Sequence, residues 1–220
     1  MVTKRITLLA GHYGSGKTNI AVNWAKYLKD CGHKVSVADL DIVNPYFRTK
    51  DSAEDFKEWG IRLISSPYAN SNLDVPALPQ ELYSVVDDKS YYAVIDVGGD
   101  DRGAFALGRY VPKILEENDY ELVLVINKYR PLSCDAQSTV EIMYEIEKVC
   151  GMHFTSIINN SNLGEETTPQ TVLNSLDYAE EVSRLSNLPI KLTTVEDTLY
   201  DELKDRIENL FCLKLQSKII

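Results

Sequence analysis

The chain alternates between short apolar runs and longer stretches in which hydrophobic residues recur three or four positions apart. The runs are Ile6–Ala10, Val35–Ala38, Ile61–Ile64, Tyr92–Val97, Leu122–Ile126, Phe154–Ile158 and Ile190–Val195. Most are hydrophobic throughout instead of alternating, which predicts strands covered on both faces. Helical spacing marks Asn19–Lys29, Gly103–Glu117, Asp135–Val149, Gln170–Ser186 and Leu199–Phe211. In the last of these, Leu199, Leu203, Ile207 and Leu210 share one face. Strand followed by helix over the whole length predicts an α/β fold. It would be a doubly wound, mostly parallel sheet with helices on both faces, in one domain over residues 1–220. Ser65–Pro79 has no period and reads as a functional loop or insertion, because patterned elements resume beyond it. Ligands of such sheets bind past the carboxyl ends of the strands, so chemistry is sought just after each run.

Composition narrows the classes without changing the picture. Hydrophobic residues make up 44% and charged residues 25%, a globular balance. With 33 acidic against 23 basic residues the net charge is −10, a field that repels polyanions and argues against nucleic acid as a partner. Cys31, Cys134, Cys150 and Cys212 are scattered, without a C-x-x-C pair, and read as idle thiols of a reducing compartment. No segment approaches the roughly 18 apolar residues of a membrane span, and the apolar start is too short for a signal peptide. A soluble, cytoplasmic protein without stable membrane insertion is expected. The run from Phe211 to Ile220 is expected to complete a final docked helix and fray.

Gly11-His12-Tyr13-Gly14-Ser15-Gly16-Lys17-Thr18 fits G-x-x-x-x-G-K-[ST], placed after the first strand and opening the first helix. Glycines let the backbone bend so that successive N–H groups surround an anion, and the helix N-terminus adds partial positive charge. Lys17 is expected to span the β- and γ-phosphates of a nucleoside triphosphate, and the Thr18 hydroxyl to ligate Mg²⁺. Gly11, Gly14, Ser15, Gly16, Lys17, Thr18 and Asn19 are the nucleotide-binding candidates of this P-loop.

Two further strand ends carry carboxylates. Asp39 and Asp41 follow the second run, which is expected to adjoin the phosphate loop, where they would face phosphates and metal. The fourth run ends Asp96-Val97-Gly98-Gly99, a D-x-x-G in which Asp96 would hold a water on Mg²⁺ and the Gly99 N–H would sense the γ-phosphate. Asp39, Asp96 and Thr18 are thus the metal candidates. Arg102, beside Asp100 and Asp101, is read as pairing with its acidic neighbours.

Together the phosphate loop, the D-x-D and the D-x-x-G resemble the MinD/ParA/CobQ group of P-loop ATPases, which includes the nitrogenase iron protein, over essentially the whole chain. The resemblance implies that Asp41 positions the attacking water and, with Lys17, carries catalysis. It also implies that Asn160, in Asn159-Asn160-Ser161-Asn162, reads adenine. Asn127, Ser133 and Asp135 echo the group's N-P-E-x-x-S-x-x-D. Asn127-Lys128-Tyr129-Arg130 starts like the guanine-reading N-K-x-D, but Arg130 has no acceptor for guanine, so ATP is favoured over GTP.

The departures are informative. Many relatives carry a lysine after the first loop glycine that reaches the partner's phosphates in an ATP sandwich dimer; here His12 holds that place. A shared iron–sulfur cluster is not expected, because Cys134 has no companion cysteine soon after Asp96. Lys204 and Arg206 alternate with Glu202, Asp205 and Glu208, a solvated face and not a DNA-binding patch. The expectation is a slow Mg·ATPase acting as a switch for a protein client, with an ATP-dependent homodimer. The alternative is a carboxylate-activating enzyme resembling dethiobiotin synthetase or the ATP-binding part of cobyrinic acid a,c-diamide synthase. There Arg48, in Asn44-Pro45-Tyr46-Phe47-Arg48, would grip a small carboxylate substrate beside Ser65–Pro79.

Overall fold

The computed structural model describes residues 3–40, 52–65, 81–98 and 107–215. Within them run the strands β1 (Ile6–Ala10), β2 (Val35–Asp39), β3 (Arg62–Ser65), β4 (Tyr92–Asp96), β5 (Tyr120–Ile126), β6 (Ser156–Asn159), β7 (Ile190–Glu196) and β8 (Leu210–Leu213). The helices are α1 (Lys17–Asp30), α2 (Ala53–Trp59), α3 (Glu81–Asp87), α4 (Val111–Glu117), α5 (Ala136–Cys150), α6 (Pro169–Leu173), α7 (Leu176–Ser186) and α8 (Asp197–Leu203). All eight strands form one parallel sheet in the order β3-β2-β4-β1-β5-β6-β7-β8.

Alternation along the strands sends side chains to two cores. Leu9, Val37, Val94, Val123 and Val125 face α1 and α2, packing on Ile20, Trp24, Leu28 and Phe56. Leu8, Ala38, Ile95, Leu124 and Ile126 face the helices of the other layer through Val86, Ile114, Met143 and Val182. Three layers result, as the unbroken hydrophobicity of the runs predicts. A polar chain fastens α1 to the sheet: Trp24 Nε1 donates to Thr7 Oγ1 (3.2 Å), which donates to Glu121 (3.0 Å), itself paired with Lys191. At the start of β1, buried Arg5 pairs with Glu117 and donates to the carbonyls of Tyr91 and Val86, both at 2.9 Å.

The structure corrects three expectations. Leu199–Phe211 is not one helix: α8 ends at Leu203, Asn209 takes a left-handed φ of 55°, and Leu210–Leu213 pairs beside β7. The expected apolar stripe is still real, since Leu203 and Ile207 are buried with Leu199 and Leu210 packed on them. The docked final helix is therefore replaced by an edge strand, and residues 216–220 lie outside the described part. Gln170–Ser186 divides into α6 and α7, because Ser175 Oγ donates to the Val172 carbonyl (2.6 Å) and accepts from Asn159. Such side-chain competition with the backbone interrupts a helix. Of the expected Gly103–Glu117 helix, residues 103–106 lie outside the described residues, Leu107 is helical, and a turn at 108–110 leads into α4 at Val111.

Candidate functional site

The loop from Gly11 to Gly16 joins the end of β1 to the first turn of α1. Two glycines in it have no substitute. A Cβ on Gly11 would lie 2.4 Å from the Val125 carbonyl oxygen, so the loop could not lie against β5. Gly16 has φ +90°, and its Cβ would fall 2.2 Å from Asn160 Nδ2.

Five successive loop carbonyls are each held by a side chain. Lys17 Nζ donates to Gly11 O (2.9 Å) and His12 O (3.1 Å). His12 Nδ1 lies 2.7 Å from Tyr13 O, a contact that requires a proton on Nδ1. Arg130 Nε donates to Gly14 O (2.8 Å), and Asn160 Nδ2 donates to Ser15 O (2.7 Å). With its carbonyls clasped in this way, the loop is left to present its amide edge, the arrangement that cradles an anion. Ser15 Oγ is buried without a hydrogen bond among the described residues, and Asn19 stands half-buried in the turn beside it.

On one side of β1 stand the carboxylates. Thr18 Oγ1 donates to Asp96 Oδ2 at 2.7 Å, joining the first turn of α1 to the end of β4. The expectation that the Asp39 strand adjoins the phosphate loop is corrected: β4 lies between β2 and β1. Asp39 is nonetheless in register with Asp96, so the pleat turns both toward the α1 layer, where both are buried. A hydroxyl beside buried carboxylates is a hard oxygen donor set suited to Mg²⁺, which keeps waters and takes its other ligands from phosphate. Among the described residues no group of three or more His, Cys, Asp or Glu could hold a metal without such help. Asp41, Gly99, Asn44-Pro45-Tyr46-Phe47-Arg48, Asp100, Asp101, Arg102 and residues 66–80 lie outside the described residues.

The other side of β1 is built from amides. Asn160, only 5% exposed, accepts from Thr194 Oγ1 (2.6 Å) on β7 while its Nδ2 holds Ser15. Asn159 points the opposite way, to Ser175 at 3.0 Å. Asn127 accepts from the Tyr129 and Asn162 amides, and its carbonyl accepts from Ser133 Oγ (2.9 Å). Asp135 caps α5 by accepting from Ser138 N (2.8 Å), and the Ser138 amide holds its carboxyl below the ordinary range. Cys134 is exposed, and all four cysteines are free. Thr194 carried no signal in the sequence. Arg130 did, but as a base-contacting position and not as a loop partner.

The CobQ/CobB/MinD/ParA nucleotide binding domain family matches residues 6–187. The chain belongs to this family. No curated protein matches it by sequence. Among solved structures it is similar to the cell-division protein FtsY of Thermotoga maritima, with 21% identity and a TM-score of 0.55, over 86% of this chain and 61% of that one. FtsY of Mycoplasma mycoides gives 20% identity and 0.53, over 86% and 59%. The signal recognition particle 54 kDa protein of Aeropyrum pernix, solved with GDP, gives 19% and 0.52, over 87% and 41%. At that identity the likeness shows the fold, a P-loop NTPase α/β sheet, and this chain spans about three fifths or less of those neighbours. As a family member the chain is a P-loop nucleotide-binding protein. Among the described residues no helix is long and apolar enough to cross a membrane.

Proposed function

We propose that the protein binds Mg·ATP and hydrolyses it slowly, as a cytoplasmic switch whose nucleotide state governs a homodimer and a protein client. The observation that carries this reading is the clasped phosphate loop beside the Thr18–Asp96 bond, 2.7 Å long. In this reading the loop amides take the phosphates while Lys17 leaves the Gly11 and His12 carbonyls for the β- and γ-phosphate oxygens. Thr18, Asp96 and Asp39 would hold the metal. Mg²⁺, when bound, supplies charge neutralisation at the phosphates. Asp41 orients the attacking water, and the Gly99 amide registers whether a γ-phosphate is present.

ATP is favoured over GTP by two side chains. Arg130 can only donate, so it cannot meet the donor edge of guanine. Asn160 keeps one N–H and one lone pair beyond its bonds to Ser15 and Thr194, a pair suited to the N6 and N7 edge of adenine. The test is phosphate release together with solution mass by light scattering, for the wild type and Asp41→Ala. Wild type should turn ATP over, and the variant should bind ATP, stop releasing phosphate and accumulate as the dimer in ATP but not in ADP. Unchanged turnover in Asp41→Ala would remove the catalytic assignment, and a constant mass in both nucleotides would remove the switch.

A further inference from the structure

We infer that β8 is a docking edge for a second copy of this chain, which pairs with it antiparallel, strand to identical strand, and without nucleotide. β8 ends the sheet on one side, with β7 as its neighbour. Leu210–Leu213 runs in parallel register with Thr193–Glu196, and the Thr193 N–H donates to Asn209 O (3.2 Å). A strand residue turns its N–H and C=O to the same side, and the side alternates along the chain. Asn209, Phe211 and Leu213 therefore face β7, while Leu210, Cys212 and Lys214 face outward. Asn23 verifies this phase. Its Oδ1 accepts from Lys214 N (2.9 Å) and its Nδ2 donates to Lys214 O (3.0 Å), so a carboxamide of α1 stands where a further strand would. Among the described residues no side chain does the same for Leu210 or Cys212.

The edge also lacks the usual guards. Sheet edges are blunted by proline, charge or a bulge. Here Leu210-Phe211-Cys212-Leu213 is apolar throughout and pairs in unbroken register, with its first three residues partly exposed. The ends of the strand choose the occupant, because exposed Glu208 precedes it and exposed Lys214 follows it. Outward residues must meet outward residues across an antiparallel pair. With Leu210 opposite Cys212 of the second copy, each exchanges N–H and C=O with the other, and Lys214 comes opposite Glu208 at both ends. The register with Cys212 opposite itself would set Lys214 against Leu210 and leave both charges unmatched. Asn23 closes the ladder at Lys214, so the charges meet through side chains alone. A strand acidic at one end and basic at the other is complementary to its own copy when the two run antiparallel. This pairing points the carboxyl ends of the two sheets in opposite directions and leaves both phosphate loops open. It is separate from the ATP-dependent dimer proposed above. So short a strand makes a small contact, with association expected at roughly 0.01–1 mM chain.

The experiment is sedimentation equilibrium over that range without nucleotide, paired with hydrogen exchange of the Leu210 and Cys212 amides. Wild type should pass from monomer to dimer, and both amides should gain protection as it does. Glu208→Lys should raise the dissociation constant by about tenfold, because it sets like charges together at both ends. Adding Lys214→Glu to it should restore the dimer, which a merely structural role for Glu208 would not do. Cys212→Pro should leave a folded monomer, since it removes an outward N–H and spares the ladder to β7. A wild type that stays monomeric throughout would overturn the inference. So would a dimer that neither Glu208→Lys nor Cys212→Pro weakens, because association would then use another face. A monomer whose Leu210 and Cys212 amides are already protected would also overturn it, by showing the edge covered from within the chain.

Discussion

At the scale of single residues, the site depends on polar side chains that hold backbone in place. Asn160 is the clearest case, tied to Ser15 O at 2.7 Å and to Thr194 at 2.6 Å while closing the space over Gly16. Gly16→Ala should cost about 1–2 kcal/mol from the left-handed backbone alone, before Asn160 is displaced. Asn160→Ala should cost about 1–3 kcal/mol by removing the donor to Ser15 O and leaving the Thr194 hydroxyl only the longer bond to Asn159 O at 3.4 Å. Denaturant unfolding measures both losses, and both variants should also weaken ATP. A Gly16→Ala variant with wild-type stability and affinity would contradict the geometry. The sequence exposed Gly11, Gly14, Gly16, Lys17 and Thr18 because their chemistry depends on local order. It hid the Asn160–Thr194 bond and the Arg130–Gly14 bond, which join residues distant in sequence and are created only by strand order.

At the scale of elements, α5 and α7 meet through a buried hydroxyl pair, Thr139 Oγ1 and Tyr178 OH at 2.7 Å. Thr139 donates to Asp135 O (2.8 Å), so Tyr178 is the donor in the pair. Burial pushes the Tyr178 phenol from 10.0 up to about 12. The folded state therefore favours the neutral phenol: its contribution is complete below pH 10 and is lost as pH rises toward 12. Tyr178→Phe should be less stable than wild type by about 1 kcal/mol at pH 8, and that gap should narrow from pH 10 upward. A gap independent of pH in denaturant titrations would refute the burial argument. Elements were legible where apolar period and length agreed, as in β1, β5 and α1. They were not where a stripe could fit two backbones: Leu199, Leu203, Ile207 and Leu210 satisfy a helix, yet Asn209 turns the chain and Leu210 begins β8. The short helices α2 and α3 offered too few turns for a period to be seen.

At the scale of the molecule, the sheet order separates two tasks. β4 and β2 bring Asp96 and Asp39 to one side of the phosphate loop, and β5, β6 and β7 bring Arg130, Asn160 and Thr194 to the other. An overall charge of −10 gives no general attraction for a polyanion, so affinity for a triphosphate must come from the local donors of the loop, Lys17 first among them. The most direct test is calorimetric titration of wild type and Lys17→Ala with ATP and with GTP, each with and without Mg²⁺. One ATP should bind per chain, tighter with Mg²⁺ and preferred to GTP. Lys17→Ala should weaken ATP by about 10- to 150-fold, the worth of a lost charge-assisted contact. ATP binding indifferent to Lys17, or tighter binding of GTP, would contradict the Mg·ATP reading.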